Sequence, residues 1–255
     1  MNTNNLFTKA ITRKPGRNFA SGITTSNLGK PDFSKALSQH QAYCAALEKC
    51  GLEVIVLDAD ERYPDGCFVE DTAVVFKEAA IITRPGAESR RGEEEEILKV
   101  LSGYRKIERL TDPATLDGGD ILRAENHFYI GRSARTNTEG SRQFSAILKR
   151  YGYSSSGIPV NEGLHLKSGL EYIGNGTYVS TIDFSNSVKA ERLVVLKPEE
   201  NYSANCLLIN GTLLVAKGYP DSLNQLTDLG YNILSLDMSE FCKMDGGLTC
   251  LSLVF

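Results

Sequence analysis

The sequence predicts a ring of five similar α/β units. Polar-to-apolar transitions recur at Asp71, Asp120, His165, Cys206 and Cys250, with spacings of 49, 45, 41 and 44 residues. Repeats of about 40 to 50 residues are typical of propellers, because one unit cannot bury its apolar face alone. The period therefore indicates a five-bladed α/β propeller around a central channel. An ordinary α/β sheet with coincidentally regular spacing is the alternative.

A candidate hairpin follows each of the first four transitions. In each case two apolar strands flank a two-residue turn: Lys77-Glu78, Glu125-Asn126, Asn175-Gly176 and Asn210-Gly211. Asn-Gly is the strongest short hairpin signal, because both residues readily adopt the positive φ of a type I′ turn. The pattern predicts that each unit begins with two antiparallel strands.

Helical patterns follow most of these hairpins. Glu93–Leu101, Glu139–Tyr151 and Asp221–Leu229 carry apolar residues at helical spacing, and each leads on to another apolar strand. After Val179 the helix signal is weak, because residues 183–187 read as a turn. The predicted unit is strand, strand, helix, strand (ββαβ).

The first unit is divided between the two ends of the chain. Leu6–Thr12 predicts a strand, a polar loop runs on to Lys30, and Asp32–Cys50 predicts an amphipathic helix. This unit lacks a hairpin partner, which Leu251–Phe255 would supply. Pairing of the last strand with the first would close the ring as a single domain over residues 1–255.

The amino-acid composition argues against several classes of function. The chain is 41% apolar and 24% charged, with a net charge of −4 and no run of Lys and Arg, so we expect neither nucleic-acid nor membrane binding. The amino terminus has no basic start followed by an apolar core, and no stretch of about 18 apolar residues exists to span a bilayer. Six cysteines without a CxxC pair predict no zinc site and a cytoplasmic protein with reduced thiols.

Equivalent loops of a closed ring converge on its channel and bring distant residues together. The residues predicted to meet there are Glu70, Asp71, Asp117, Asp120, His165 and Cys250. Together they would form a thiol, an imidazole and a group of carboxylates.

Each of these residues also has an ordinary interpretation. Glu70-Asp71 would be a solvated turn, and Asp117–Asp120 a tight turn, for which Asp and Gly are the expected residues. His165 would be a hydrogen-bonded core histidine, and Cys250 a small buried residue. Arginine side chains are most often surface charges, as Arg84, Arg90, Arg91 and Arg135 would be.

The thiol chemistry indicates a cationic substrate. Gly246-Gly247 would let the backbone before Cys250 approach a ligand closely. A free thiol has a pKa of about 8.5, and neighbouring carboxylates raise it further. A unit positive charge about 4 Å away would offset this by about 4 kcal/mol at an effective dielectric near 20. A planar guanidinium matches several carboxylates bidentately, so the cluster favours an arginine-like substrate.

Seven segments carry a family resemblance: PDGCFVEDTAVV, IITRPGAESRRGE, TLDGGDIL, HFYIGRSARTN, GLHLKSGL, ANC and KMDGGLTCLSL, in this order. In them the chain resembles the dimethylarginine dimethylaminohydrolases of the guanidino-group-modifying, or pentein, superfamily. The resemblance covers nearly all of the chain. It implies a five-bladed α/β propeller, in agreement with the period.

The resemblance also implies the site. Cys250 would be the nucleophile, His165 the general acid and base, and Asp117 the carboxylate beside them. Substrate binding would fall to Asp65, Glu70 and Asp71 around the guanidinium, Arg90 and Arg135 at the amino-acid end, Ile23 in a loop over the channel, and Met244 through its backbone.

The implied activity is hydrolysis of asymmetric dimethylarginine and monomethylarginine to citrulline and an amine, through an S-linked intermediate. No cofactor or metal is expected, and a homodimer is implied at the level of the family alone. An arginine deiminase or another guanidine hydrolase is one alternative. A non-catalytic propeller that serves as a binding module is the other, although it would be expected to lack the nucleophile or the histidine.

Overall fold

A computed structural model describes residues 7–255 as five three-stranded sheets. The first sheet consists of β1 (Lys9–Arg13), β2 (Glu53–Leu57) and β15 (Leu253–Val254). The others are β3 (Ala73–Val75), β4 (Ala79–Ile82) and β5 (Lys106–Arg109); β6 (Ile121–Ala124), β7 (His127–Arg132) and β8 (Ser154–Pro159); β9 (Leu170–Tyr172), β10 (Thr177–Ser180) and β11 (Arg192–Val195); β12 (Leu207–Ile209), β13 (Thr212–Ala216) and β14 (Asn232–Leu236). In each sheet the middle strand pairs antiparallel with one neighbour and parallel with the other.

Helices connect the middle strand to its parallel neighbour in four of the five units. They are α1 (Phe33–Lys49), α2 (Glu94–Leu101), α3 (Thr138–Arg150) and α4 (Pro220–Asp228), and a short α5 (Ser239–Cys242) follows β14. The Asp32 carboxylate accepts the Lys35 N–H at 2.7 Å and so caps α1. Between β10 and β11 the chain forms a 3-10 turn, Ile182–Phe184, where the helix signal in the sequence is weak.

The two ends of the chain share one sheet. β15 pairs antiparallel with β1, with Ala10 opposite Val254 and Ile11 opposite Leu253. The prediction that the last strand supplies the missing hairpin partner is therefore confirmed. The predicted first strand begins earlier than the observed one, and its first residue, Leu6, lies outside the described residues.

Five apolar clusters join the sheets, one between each neighbouring pair. Side chains of a strand point alternately to its two faces, and the middle strands use this period. Ile81 packs towards the third sheet while Ile82 packs towards the first. Leu213 packs towards the fourth sheet and Leu214 towards the first. Because the clusters connect all five sheets in a cycle, the fold is a closed ring, as predicted.

Short turns at the start of the units meet at the centre of this ring. They are Val69–Thr72, Gly118–Asp120, Leu166–Ser168, Pro198–Ala204 and Thr249–Leu251. The turn at Val69–Thr72 contacts both its neighbours along the ring, the turn at Gly118–Asp120 and the one at Thr249–Leu251. The positions with the 40–50-residue period are thus neighbours in space.

Equivalent hydrogen bonds link successive turns. The Asp71 carboxylate accepts the Gly119 N–H at 2.9 Å, and the Asp120 carboxylate accepts the Leu166 N–H at 3.0 Å. These bonds tie the second unit to the third, and the third to the fourth.

The amide of Asn205 continues the circuit, since it donates to the Lys167 carbonyl at 2.8 Å and accepts the Thr249 N–H at 3.0 Å. The Thr249 hydroxyl then donates to the Glu70 carboxylate at 2.8 Å. Side chains of three of these turns, together with Asn205 directly after a fourth, therefore connect the units of the ring through hydrogen bonds.

The sequence predicted that no segment spans a membrane and that the thiols are reduced, and the structure bears on both points. Among residues 7–255, no helix combines the length and the apolar character that a bilayer crossing requires. All six cysteines lie in this described part of the chain, and each carries a free thiol.

Removal of a ring carboxylate should destabilise the protein. Asp120 is fully buried and accepts from the Ser133 hydroxyl, the Thr136 hydroxyl and the Leu166 N–H. Asp120→Ala leaves these donors without a partner, so we expect the free energy of unfolding to fall by about 2 to 4 kcal/mol in urea denaturation followed by circular dichroism. Asp183→Ala, at an exposed turn position, is the control and should change it by less than about 0.5 kcal/mol.

Candidate active site

A cavity of about 350 Å³, including its open mouth, lies where the turns converge. Its lining comes from widely separated parts of the chain and consists of Ile23, Asp65, Phe68, Asp71, Arg90, Arg135, Leu164, His165, Met244, Asp245, Gly246 and Cys250. Eight of the ten residues predicted for the site are in this lining. The remaining two, Glu70 and Asp117, lie behind it.

Cys250 sits in the 3-10 turn Thr249–Leu251, with its Sγ 3.3 Å from the Gly247 N–H that donates to it. Glycine is required at position 247, because a Cβ there would lie 2.3 Å from Oδ1 of Asn205. Burial, together with the negative charges of Glu70 and Asp71, raises the pKa of the Cys250 thiol. The thiol is therefore protonated in the free protein at neutral pH.

The pKa of His165 is also raised, which makes its imidazole positively charged. Its Nε2 lies 3.0 Å from Oδ2 of Asp117 and 3.9 Å from Oδ1 of Asp71. Burial by itself would lower the pKa of His165, but the carboxylates of Asp71, Asp117 and Asp120 outweigh it and raise the pKa to about 9. The imidazole thus carries a proton at neutral pH and can act as an acid towards a group in the cavity.

Asp117 is fully buried and fixed from both sides. Its Oδ1 accepts the Gly86 N–H at 2.8 Å, and its Oδ2 lies 3.7 Å from Nη1 of Arg135 as well as facing the histidine. Because its oxygens are held in this way, Asp117 can orient the imidazole without entering the cavity. The tight-turn interpretation of Asp117–Asp120 accounts for its backbone but not for these contacts.

Arg90 is buried, so it is not a surface charge. Its Nη1 donates to Oδ2 of Asp71 at 2.5 Å, while its Nε and Nη2 donate to the Glu93 carboxylate. Burial alone would raise the pKa of Asp71, but the charges of His165 and Arg90 lower it to about 2. Asp71 is therefore ionised at the cavity surface.

Glu93 was missed in the sequence, although it lies three residues after Arg90, a spacing that allows side-chain pairing. Its side chain is 1% exposed, and burial raises its pKa to about 7 although Arg90 opposes this. Because Glu93 accepts hydrogen bonds from two nitrogen atoms of Arg90, it fixes the Arg90 guanidinium in the wall of the cavity. Arg84 and Arg91 are outside the lining, and each is paired with a more exposed carboxylate.

A loop over the cavity is fastened by two carboxylates. The Ile23 N–H points at both oxygens of Asp65, at 3.1 and 3.2 Å, and the Ile23 side chain is 40% exposed. Asp245 accepts from the Thr25 N–H at 2.6 Å and from the hydroxyls of Thr24 and Thr25. Asp245 is a further residue that sequence reasoning missed. Met244 is buried beside it and completes this side of the cavity.

Glu70 differs from the expectation that it holds the substrate. Its carboxylate is paired with Lys167 and accepts from the Thr249 hydroxyl, so it faces the ring behind Cys250 and not the cavity. Asp120 is likewise outside the lining, held by hydroxyl groups. Of the six side chains predicted to meet at the channel, Asp71, His165 and Cys250 reach the cavity.

One set of potential metal ligands exists among residues 7–255: oxygen and nitrogen atoms of Asp71, Asp117 and His165 lie within 4.8 Å of one another. The carboxylate oxygens already accept hydrogen bonds from Arg90, Gly119 and Gly86. The carboxylates of this cluster therefore stabilise the protonated form of the imidazole. Independence of a metal stays a prediction.

Comparison with known proteins agrees with this geometry. The family model described as "N,N dimethylarginine dimethylhydrolase, eukaryotic" matches residues 26–199. The N(G),N(G)-dimethylarginine dimethylaminohydrolase of Pseudomonas aeruginosa is 43% identical over 254 residues, which cover 98% of this chain and 100% of that protein. The chain belongs to the dimethylarginine dimethylaminohydrolase family. The protein of the same name from Streptomyces coelicolor is 37% identical, covering 96% of this chain and 95% of that one.

A solved structure of a family member has the same fold. The Pseudomonas aeruginosa enzyme, as a cysteine-to-serine mutant complexed with citrulline, matches with a TM-score of 0.95 at 43% identity, over 98% of this chain and 100% of that one. The α/β ring predicted from the period is thus the fold of this family.

Gly119 should be essential for the position of His165. A Cβ at residue 119 would lie 2.7 Å from Nδ1 of His165 and 3.1 Å from Oδ1 of Asp71. We expect Gly119→Ala to displace the imidazole and to lower kcat/KM for a methylated arginine at least about 100-fold. Gly103→Ala is the matched control, because the nearest atom to its Cβ would be 3.5 Å away. Equal activity of the two variants would contradict this role.

Proposed function

We propose that the protein hydrolyses N-ω-methylated arginines, asymmetric dimethylarginine and monomethylarginine, to citrulline and dimethylamine or methylamine. The observation that carries the proposal is a neutral thiol, Cys250, that shares a carboxylate-rich cavity with a protonated histidine, His165. The activity for which the family relatives are named and the citrulline complex of one of them support it.

Charge complementarity supports a guanidinium as the ligand. Asp71 is ionised at the cavity surface, and Asp65 lies in the same lining. A bound cation beside Cys250 would offset the two negative charges that keep the thiol protonated. We therefore infer that the substrate itself promotes formation of the thiolate.

Arg135 and Arg90 are proposed to bind the α-carboxylate of the amino acid. Both line the cavity, and the Arg135 side chain is 14% exposed, whereas Glu93 and Asp71 engage most of the Arg90 guanidinium. Arg135 is therefore the principal anchor in this proposal. Ile23 and Met244 would enclose the aliphatic part of the substrate.

In the first half of the reaction, Cys250 releases its proton to solvent and Sγ attacks the guanidinium carbon. The bond from this carbon to the methylated nitrogen then breaks, and His165 gives its proton to the departing amine. A cationic S-linked amidino group remains on the enzyme. Splitting one difficult displacement into two steps is the advantage of covalent catalysis.

In the second half, the neutral His165 takes a proton from water, and the hydroxide attacks the same carbon. The carbon–sulfur bond breaks, and the new C–OH group gives its proton to the departing thiolate, which yields citrulline and restores the Cys250 thiol. Asp117 keeps the imidazole oriented in both halves. Glu70 is assigned to the wall behind the nucleophile and not to the substrate.

Loss of the nucleophile should stop turnover without loss of binding. We expect Cys250→Ser to reduce citrulline formation by at least about 10⁴-fold, because a hydroxyl at this position is far less ionised than a thiol. Substrate binding, measured by calorimetry, should change by less than about tenfold. Cys44→Ser, at a partly exposed thiol of α1, is the control and should keep its activity. A substantial residual rate in Cys250→Ser would exclude the assignment.

The pH dependence should report the proton on His165. Turnover needs the Cys250 thiolate together with a protonated His165, and the pKa of the thiol is raised. Since the pKa of His165 is about 9, kcat/KM should rise with pH up to about that value and then level off, because further ionisation of the thiol is offset by loss of the acid. Asp117→Asn removes one charge that raises the pKa of His165, so the pH at which kcat/KM levels off should be lower by about one to three pH units. The substrate's own amino group titrates equally with both enzymes. An unchanged levelling-off point in Asp117→Asn would contradict the role of Asp117.

A substrate panel separates this function from the alternatives. The purified protein is incubated with arginine, monomethylarginine and asymmetric dimethylarginine, and citrulline is measured together with the released amine. Dimethylamine or methylamine supports the proposed function. Ammonia from arginine supports a deiminase, and absence of any product with retained binding supports a binding module.

The domain organisation, the oligomeric state and the cellular location are proposed as well. We infer that residues 1–255 act as one domain, and we propose a homodimer and a cytoplasmic location. The free thiols are compatible with a reducing compartment. No nucleic acid, membrane, cofactor or metal has a part in the proposed reaction.

A further inference from the structure

A partly buried lysine lies behind the candidate nucleophile, outside the cavity lining. Lys167 follows His165 by two residues, and its side chain is 15% exposed. Its Nζ is paired with Oε1 of Glu70 and lies 3.6 Å from Oε1 of Glu171. Removing such a charge from water is costly unless partners compensate for it, so an ion pair at this place calls for an explanation.

The ion pair is connected to the nucleophile. Oε2 of Glu70 accepts from the Thr249 hydroxyl at 2.8 Å, and Thr249 directly precedes Cys250. Asn205 binds the hydroxyl and the N–H of Thr249, at 3.0 Å each, and also the Lys167 carbonyl. Lys167, Glu70 and Asn205 thus hold the turn that carries the thiol.

The charges around the thiol support an electrostatic role. The negative charge of Glu70 acts to raise the pKa of Cys250, whereas the positive charge of Lys167 acts to lower it. Burial raises the pKa of Glu171 to about 8, although Lys167 opposes this. At neutral pH Glu171 is thus mostly protonated, and Lys167 is left to balance Glu70.

We propose that Lys167 is a positioning residue for the nucleophile, which neutralises Glu70 and so limits the negative charge that the Cys250 thiolate must face. The inference rests on the proposed function of Cys250, but it concerns the wall behind the sulfur and not the substrate side. Without Lys167, the full charge of Glu70 would add to that of Asp71, so a bound cation would have more negative charge to offset.

The test follows ionisation of the thiol without substrate. Iodoacetamide, a neutral reagent, reacts with the thiolate, so at pH values below the thiol pKa its rate is proportional to the ionised fraction. Alkylation of Cys250 is measured between pH 6 and 10 by peptide mass spectrometry, with Cys44 of the same sample as the reference thiol. The other charged groups that face the sulfur, line its cavity or lie beside Lys167 are the same in every variant, so their own titration affects all variants alike: Asp65, Asp71, Arg90, Arg135, His165, Glu171 and Asp245.

Two substitutions should have opposite effects. Lys167→Met should slow alkylation of Cys250 at pH 8 by about tenfold or more, with no change at Cys44. Glu70→Gln should accelerate alkylation of Cys250, because a negative charge is lost while Lys167 remains. The double variant Lys167→Met/Glu70→Gln should return to within about threefold of the unmodified protein.

A structural ion pair alone would give a different pattern. If Lys167 only stabilises the fold, Lys167→Met should increase alkylation at both thiols, and Glu70→Gln should not correct it. Either this result or an unchanged pH dependence in Lys167→Met would overturn the proposal. Glu70→Gln remains informative if Lys167→Met does not fold, since slower alkylation in Glu70→Gln would also overturn it. Failure of the substrate panel, with the expected alkylation pattern, would contradict the proposed function alone.

Discussion

The hydrogen bonds between neighbouring turns at the centre of the ring are the constraint on which the site depends. Asp71, Asp120 and Asn205 lie just before the first strands of three units, and each accepts a backbone N–H from the next unit. A buried N–H without a partner costs about 1 to 3 kcal/mol, so these contacts determine how closely the turns approach each other. Asp71, His165 and Cys250 either take part in these contacts or lie beside residues that do. The reactive geometry is therefore a property of the closed ring and not of any single unit.

The same carboxylates set the protonation of both reactive groups. Negative charge keeps a proton on His165 and on the Cys250 thiol, which leaves the free protein with the proposed acid in place and the proposed nucleophile not yet ionised. A cation bound in the cavity would act more directly on the thiol than on His165. It would place a positive charge beside the sulfur and so favour the thiolate. In the proposed mechanism, selectivity for a guanidinium and activation of the thiol thus have one electrostatic origin.

Ring closure explains why residues from the whole chain meet. β15 completes the sheet of β1, and the turn before it brings Thr249 to the Glu70 carboxylate, 179 positions away in the sequence. Close approach of the turns requires glycine at Gly119 and Gly247, where any Cβ would collide with a neighbouring unit. The small residues in the recurrent motifs are therefore a packing requirement of the ring as much as a feature of the site.

The recurrent period, the Asn-Gly turns and the capped helix α1 could be predicted from the sequence, because strand alternation, turn conformation and capping depend on neighbouring residues. The family motifs likewise predicted that Cys250, His165 and Asp117 lie at one site, and the structure brings them together there. The partners of the charged groups could not be predicted. Glu93 below Arg90, Asp245 on the loop, and Lys167 against Glu70 acquire their roles through burial and through contacts between units. Burial decides whether a carboxylate is ionised and which cation it binds, and burial exists only once the ring has closed.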